Sequence, residues 1–226
     1  HNDARRQRQM CIRDRNKAIK NYKNVGFVPT MGGIHKGHVS LIKISQKNKK
    51  ETIVSIFVNP TQFNQKKDFK NYPRNIRKDI SILKKLKVNY LFLPEVNEIY
   101  KNRMKNFKLN KSDKILCAKY RKGHFEGVLN VMNRLLSIVK SKHVYMGEKD
   151  FQQYMLVKRI LGKKYKINIV GCPTIREKNK IALSTRNKLL NKSSMKKASK
   201  IAIKLNKIKR LSQNNKFVDL SKSIYE

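Results

Sequence analysis

Two histidines that follow a pair of glycines have the residue types and spacing best suited to phosphate chemistry. His35 and His38 stand in an H-x-G-H pattern that begins two residues after the pair Gly32-Gly33. An imidazole can donate a hydrogen bond to a phosphate oxygen without carrying a fixed charge, and it becomes a stronger partner as negative charge develops. Two solvated histidines in a loop are the alternative, which four residues alone do not exclude.

The elements around these histidines predict how they are held. Residues 25–28 form an apolar run closed by Pro29, which predicts a buried strand, and a helical spacing of apolar residues begins at Gly37. The glycines supply a turn with little steric constraint between strand and helix. Because a helix start leaves backbone N–H groups unpaired and carries partial positive charge, this turn is a natural phosphate site.

A second β-branched run, residues 52–58, predicts another buried strand that is followed by polar side chains. Asn59, Thr61 and Gln62 come at its carboxyl end, where open α/β sheets place ligands. Neutral amides and hydroxyls can orient the carboxylate and hydroxyls of a small substrate. Turn chemistry alone explains Asn59-Pro60, but it does not require Gln62.

A charged cluster follows the short strand predicted at residues 144–146. Gly147 permits close backbone approach, and Lys149 can neutralise phosphate charge. Asp150 suits a helix N-cap or, through water, a partner of magnesium. Taken alone, residues 148–150 are also an ordinary charged helix start.

Two more segments carry basic side chains suited to an anionic substrate. Arg121 and His124 form a basic turn before a predicted helix, for which a plain helix entry is the alternative. Ser184 and Arg186 follow the last predicted strand, residues 167–170, and a polar loop. Hydroxyls and a guanidinium on a mobile loop can close over a triphosphate as pyrophosphate leaves.

The order of the remaining elements predicts an α/β fold with a doubly wound parallel sheet. Apolar residues at three- and four-residue steps predict one amphipathic surface helix over residues 68–87, which leads into a third strand at 90–93. Two strand-helix-strand units in succession favour a parallel sheet. Residues 101–110 are predicted as a loop, and the chain beyond Asn187 as a helix.

The formal net charge of +41 would ordinarily indicate nucleic acid or an anionic membrane as the partner. The excess is mostly lysine, spread along the whole chain and accompanied by abundant asparagine. A nucleic-acid surface would concentrate basic residues on one element with aromatic residues between them. We therefore interpret the charge as a solvated lysine coat that reflects an AT-rich genome. A basic nucleic-acid-binding protein remains the rival from another functional class.

Cysteine usage and hydropathy predict a soluble cytoplasmic protein. Cys11, Cys117 and Cys172 are odd in number and have no metal-ligand spacing, which fits a reducing compartment without disulfides. No apolar run approaches the roughly 18 residues that a bilayer span needs, and no secretory segment is apparent. Residues 1–15 lack apolar periodicity, and we interpret them as a non-native scar or a disordered basic arm.

Residues 29–42, PTMGGIHKGHVSLI, resemble the nucleotide-binding signature of the pantothenate synthetase (pantoate–β-alanine ligase) family, within the H-x-G-H nucleotidyltransferase superfamily. Further segments resemble other blocks of that family in the same order, namely SIFVNPTQF (55–63), NYPR (71–74), RKGHFEGV (121–128), YMGEKDFQQ (145–153) and ALSTRN (182–187). Another nucleotidyltransferase, such as a mononucleotide adenylyltransferase, would share the H-x-G-H turn but would not account for VNPTQF or GEKDFQQ.

The resemblance implies a two-step ligase reaction with ATP and Mg²⁺. Pantoate would attack the α-phosphorus of ATP, and β-alanine would then displace AMP from the pantoyl adenylate to give pantothenate. His38 would be the principal phosphate-side donor and a candidate general acid, assisted by His35, Lys149, Ser184 and Arg186. The implied ATP site comprises Met31, Gly32, Gly33, Ile34, His35, Lys36, Gly37, His38, Gly147, Glu148, Lys149, Asp150, Ile175, Leu183, Ser184, Thr185 and Arg186. The implied pantoate and β-alanine site comprises Gln62, Gln153, Asn59, Arg121 and His124.

The resemblance also implies a homodimer and a division into domains. Residues 16–174 would form the Rossmann-like nucleotide- and pantoate-binding domain, and residues 175–226 would begin a C-terminal α+β lid that is shorter than in the family. An inactive remnant is therefore a third alternative. Thr185 replaces the serine usual in the family and keeps the hydroxyl. Residues 178–180, Lys-Asn-Lys, replace an acidic-glycine turn, which makes closure of that loop less secure.

Overall fold

Five parallel strands form the centre of the fold in the computed structural model, which describes residues 25–49, 51–101 and 104–213. The segment 1–15 and Cys11 lie outside the described residues. The sheet has the strand order β3-β2-β1-β4-β5, and every neighbouring pair is parallel. The strands are β1 (Val25–Thr30), β2 (Glu51–Ile56), β3 (Tyr90–Phe92), β4 (His143–Gly147) and β5 (Asn168–Cys172).

Helices connect these strands and cover both faces of the sheet. They are α1 (Lys36–Asn48), α2 (Lys66–Asn71), α3 (Ile76–Lys85), α4 (Val96–Tyr100), α5 (Cys117–Tyr120), α6 (His124–Val139), α7 (Phe151–Val157), α8 (Lys163–Tyr165) and α9 (Lys192–Gln213). One π-helical segment, Lys158–Gly162, joins α7 to α8. Short 3₁₀ segments lie at Pro60–Gln62, Lys111–Asp113, Glu148–Asp150 and Thr185–Leu189.

Successive residues of β1 point to opposite faces and so enter two separate cores. Phe27 packs in the cluster built mainly with α6 and α7. Val28 packs in a second cluster that contains Ile42 of α1 and Leu83 of α3. Because both faces are covered, the predicted doubly wound parallel sheet is confirmed.

The predicted single helix over residues 68–87 is wrong. The segment forms two helices, α2 and α3, which are separated at Tyr72 and Pro73. A proline has no N–H group to continue a helix, and it disfavours the helical conformation of the residue before it. Tyr72 is accordingly extended, with φ −61° and ψ 124°.

Other boundaries differ in ways that matter for the site. Pro29 lies within β1, which ends one residue later. Because β4 pairs with β1 only at Gly26 and Phe27, the carboxyl half of β1 has a neighbouring strand on one side only. A crevice therefore opens between the carboxyl ends of β1 and β4.

The helix α4 was not predicted, whereas residues 104–110 carry no helix or strand, as expected for the loop. None of the helices formed by the described residues combines the length and hydrophobicity needed to cross a bilayer. Cys117 and Cys172 are free thiols, one exposed and one buried.

Candidate functional site

A cavity lies at the carboxyl ends of the strands, where the chain leaves β3 and crosses to β4 on the other side of β1. Such a reversal in strand order is where open α/β sheets bind ligands. The predicted site residues that line this cavity are Met31, His35, Gly37, His38, Asn59, Gln62, Gly147, Lys149, Asp150, Gln153, Ile175, Leu183, Ser184, Thr185 and Arg186.

Seven other predicted residues are not among those that line the cavity, namely Gly32, Gly33, Ile34, Lys36, Glu148, Arg121 and His124. Most of them are either buried in the protein or exposed to solvent outside the cavity. Ile34 is a core residue, while Lys36 and Glu148 are exposed.

The two histidines cap the helix that they introduce. His35 is the N-cap of α1, and its Nδ1 accepts a hydrogen bond from the backbone N–H of Gly37 at 3.1 Å. His38 Nδ1 in turn accepts from the backbone N–H of His35 at 3.4 Å. Because both Nδ1 atoms are acceptors, the hydrogen of each neutral ring is on Nε2. The Nε2–H groups are therefore the donors available to a ligand.

The site keeps both imidazoles neutral. Burial lowers the pKa of His38 to about 3, and the proximity of His35 and Lys149 acts in the same direction. Burial also lowers the pKa of His35, with Lys149 and Lys188 adding to the effect. At neutral pH His38 is thus a hydrogen-bond donor without charge, and its expected role as a general acid stays a prediction.

The glycine turn is held by a carboxylate from α3. Asp79 is 3% exposed and accepts hydrogen bonds from the backbone N–H groups of Gly33 and Ile34, both at 2.8 Å. Gly32 and Gly33 have φ of 79° and 63°, which glycine adopts at little cost. The N–H groups of Gly33 and Ile34 are therefore already bonded within the protein. Side chains and the start of α1 are left to bind phosphate.

Polar groups after β2 form a rigid turn at one side of the cavity. Asn59 is 1% exposed and accepts hydrogen bonds from Thr61 and Tyr100. His124 is buried, and its Nδ1–H donates to the carbonyl oxygen of Gln62 at 2.6 Å. Burial lowers the pKa of His124 although that hydrogen bond opposes the shift. His124 thus holds the backbone of Gln62 in place.

The segment 183–186 packs directly onto the glycine turn. Thr185 is 5% exposed, and its hydroxyl donates to the carbonyl oxygen of Gly33 at 3.4 Å. A Cβ on Gly33 would lie 2.4 Å from Thr185 Cγ2, so only glycine permits this approach. Lys180 turns the preceding hairpin with a φ of 67°.

Arg186 is fixed across the mouth of the cavity by a carboxylate and two rings. Its Nε and Nη2 donate to the two oxygens of Asp68 at 3.2 and 2.8 Å. The guanidinium carbon lies 5.2 Å from the ring centre of Tyr72 and 5.8 Å from that of Phe63. The hydrogen bonds to Asp68 raise the pKa of Arg186.

Arg121 stands near this ion pair although it does not line the cavity. Burial lowers its pKa, and the positive charge of Arg186 acts in the same direction. Arg121 therefore adds positive potential to the mouth of the cavity without contacting its interior. This field favours anionic ligands.

Lys149 and Asp150 line the same cavity as the histidines. Lys149 Nζ lies 3.1 Å from Asp150 Oδ1, with 36% and 61% of the two side chains exposed. A Cβ on Gly147 would meet no atom within 4 Å, so the wall is open there for a close approach. Within the described ranges, no three His, Cys, Asp or Glu side chains group as a metal site. Asp150 is the one carboxylate among the described residues that line the cavity.

Sequence reasoning missed three residues that shape the site: Asp68, Tyr72 and Asp79. Asp68 and Asp79 stood on a predicted surface helix and carried no local signal, because their partners lie 118 and 46 residues away. Tyr72 stood in a segment of family resemblance, and its ring centre lies 5.2 Å from the guanidinium carbon of Arg186.

A parallel sheet with this strand order and an H-x-G-H turn at its crevice defines a Rossmann-like α/β enzyme of the nucleotidyltransferase type. The family model described as pantoate-beta-alanine ligase matches residues 3–225. The chain belongs to the pantoate–β-alanine ligase family.

Curated relatives and solved structures agree with that membership. The pantothenate synthetase of a Sulfurihydrogenibium species is 42% identical over 194 residues, which are 85% of this chain and 69% of that protein. The pantothenate synthetase of Francisella tularensis subsp. novicida is 46% identical over 191 residues, covering 83% and 72% of the two chains.

Among solved structures, the pantoate-beta-alanine ligase from Francisella tularensis, complexed with beta-gamma ATP and beta-alanine, has a TM-score of 0.80 and 43% identity. The alignment covers 86% of this chain and 75% of that one. The pantothenate synthetase from Thermus thermophilus has a TM-score of 0.83 at 33% identity, covering 90% and 74%.

Proposed function

We propose that this chain condenses pantoate with β-alanine at the expense of ATP, through a pantoyl adenylate, and releases AMP and pyrophosphate. The observation that carries the proposal is the convergence of His35, His38, Lys149 and Arg186 on one cavity that also contains Gln62. The family membership and the relative complexed with beta-gamma ATP and beta-alanine support the same reaction. Pantothenate formation in the cytoplasm by a homodimer belongs to the same proposal.

In the first step, a pantoate carboxylate oxygen bonds to the α-phosphorus of ATP while the bond to the bridging oxygen of pyrophosphate breaks. The protein contributes position and charge stabilisation, since no covalent intermediate with the chain is needed. The neutral Nε2–H groups of His35 and His38 would donate to phosphate oxygens as negative charge develops. Lys149 and Arg186 would stabilise the departing pyrophosphate.

In the second step, the amine of β-alanine attacks the acyl carbon, loses a proton, and displaces AMP. Gln62 and Gln153 supply amide groups that can hold the carboxylate and hydroxyls of the acid. The opposite wall is apolar and suits the branched carbon of pantoate; it is lined by Val128, Val131, Met132 and Leu135 of α6.

Magnesium would be held through the carboxylate of Asp150 together with ATP phosphates, where it would neutralise phosphate charge. Asp150 is largely exposed at the cavity, and its nearest ion-pair partner is the exposed Lys149. A single carboxylate beside phosphate oxygens is a usual environment for Mg²⁺.

The proposal is tested by a turnover assay with ATP, pantoate and β-alanine, each omitted in turn. We expect AMP and pantothenate only when all three are present. We also expect His38→Gln to lower the rate by about 10²–10³, as removal of one well-placed donor does in other enzymes. His143→Gln is the matched control, because His143 is the first residue of β4 and the cavity lies at the other, carboxyl end of that strand. Formation of AMP without pantoate would contradict the proposal.

A further inference from the structure

We infer that Tyr100 is a positioning residue for the acid substrate. Through Asn59, it fixes the side-chain amide of Gln62 so that the amide N–H groups face the cavity. The inference rests on the proposed function, because it takes pantoate as the ligand of Gln62. Tyr100 itself is not among the residues that line the cavity.

The side chain of Asn59 is oriented by three hydrogen-bond donors. The hydroxyl of Tyr100 donates to Asn59 Oδ1 at 2.6 Å, and the backbone N–H and the hydroxyl of Thr61 donate to the same oxygen at 3.3 and 3.1 Å. The bond from Tyr100 is the shortest of the three. Because Oδ1 is held by these donors, Asn59 Nδ2 must point the other way, where it contacts the carbonyl oxygen of Gly127 at 3.3 Å.

Asn59 in turn orients the side-chain amide of Gln62. Asn59 Nδ2 also donates to Gln62 Oε1 at 3.2 Å, so the oxygen of the Gln62 amide is turned toward the interior. Gln62 Nε2 then lies 3.1 Å from the sulfur of Met31, another cavity residue. A thioether is a weak acceptor, and the N–H groups therefore remain available to a carboxylate or hydroxyl oxygen of the substrate.

The ring of Tyr100 is itself held in place. The guanidinium carbon of Arg134 lies 4.7 Å from the ring centre, and Arg134 is 6% exposed within α6. A buried cation over an aromatic face stabilises the ring position. Since Tyr100 ends α4 while Arg134 comes from α6, the pair also fixes α4 against the helix that forms the apolar wall of the cavity.

The matched test compares Tyr100→Phe with Tyr165→Phe. The hydroxyl of Tyr165 also donates to an asparagine oxygen, Oδ1 of Asn133, at 2.8 Å. Neither Tyr100 nor Tyr165 lines the cavity. Each variant loses a tyrosine hydroxyl that is bonded to an asparagine, Tyr165 also to the backbone oxygen of Asn133 at 3.1 Å, and the two should lose similar thermal stability. Only Tyr100→Phe should raise the KM for pantoate, by about three- to tenfold, with the KM for ATP unchanged.

A second variant, Asn59→Asp, reverses the amide instead of loosening it. A carboxylate there accepts from Gln62 Nε2, which turns the carbonyl oxygen of Gln62 toward the substrate. The KM for pantoate should rise by more than about tenfold, because a donor to a charged group is lost. Adding Tyr100→Phe to Asn59→Asp should then produce little further change, since both act through the same amide.

The outcomes separate this inference from the proposed function. A wild-type chain without pantoate-dependent turnover would overturn both. Active wild type with an unchanged pantoate KM in Tyr100→Phe, or with an equal rise in Tyr165→Phe, would overturn the inference and leave the ligase proposal standing.

Discussion

Replacing Asp79 with alanine removes the carboxylate that holds the glycine turn before the two histidines. The backbone N–H of Ile34 loses a partner at 2.8 Å in a buried environment, and that of Gly33 loses one at the same distance in a partly buried environment. An unsatisfied buried N–H costs about 1–3 kcal/mol and a partly buried one less, so Asp79→Ala should lower the free energy of unfolding by about 1–4 kcal/mol. That is a large part of the roughly 5–15 kcal/mol that stabilises a typical domain.

Urea denaturation followed by circular dichroism measures this loss, and Asp79→Asn provides a graded comparison. Asparagine keeps one acceptor oxygen, so its effect should be about half of the alanine effect. Asp113→Ala is the control. Asp113 pairs with Arg159, their side chains being 13% and 54% exposed, and an ion pair with one partner in solvent contributes only about 0–1 kcal/mol.

The reasoning would be refuted if Asp79→Ala unfolded at the urea midpoint of the wild type, or if it lost no more stability than Asp113→Ala. A folded Asp79→Ala variant should also bind ATP more weakly, because His35 directly follows the loosened turn. Equilibrium dialysis with labelled ATP checks that consequence separately from stability.

Three further changes probe other parts of the site. Arg186→Lys keeps the charge but cannot form two parallel hydrogen bonds to Asp68, so kcat/KM for ATP in steady-state assays should fall about tenfold. An unchanged kcat/KM would argue against a role for this paired hydrogen bonding. Gly127→Ala would bring a Cβ to 2.5 Å from the carbonyl oxygen of Thr61, and urea denaturation should show a loss of about 1–3 kcal/mol. The folded pKa of His38 is lowered from 6.5 to about 3, so its contribution to stability is present above pH 6.5 and is lost as the pH falls toward 3. Denaturation at a series of pH values should show a shallower acid decline for His38→Gln than for the wild type, and identical slopes would contradict the shift.

Sequence alone predicted the sheet because its strands are short apolar runs with clear ends. The H-x-G-H turn, the amides after β2 and the GEKD segment each follow a strand, and parallel strands bring their carboxyl ends to one edge. The convergence of His38, Lys149 and Arg186 on one cavity follows from that arrangement. Apolar spacing was less informative at Pro73, where it suggested a continuous helix across a proline that interrupts it.

The contacts that hold the site could not be predicted in the same way. Asp68 and Asp79 resemble solvated charges on an amphipathic helix, and only the folded chain reveals their bonds to Arg186 and to the glycine turn. His124 does not line the cavity, and its Nδ1–H donates to the backbone carbonyl oxygen of Gln62, so its expected contact with substrate stays a prediction. Long-range hydrogen bonds of this kind leave no periodic pattern in the sequence.

Exchange of labelled pyrophosphate into ATP tests the adenylate proposal most directly, because it reports the first step alone. We predict exchange that requires pantoate, proceeds without β-alanine, and is lost in His38→Ala. Exchange without pantoate, no exchange with it, or full exchange in His38→Ala would contradict the account.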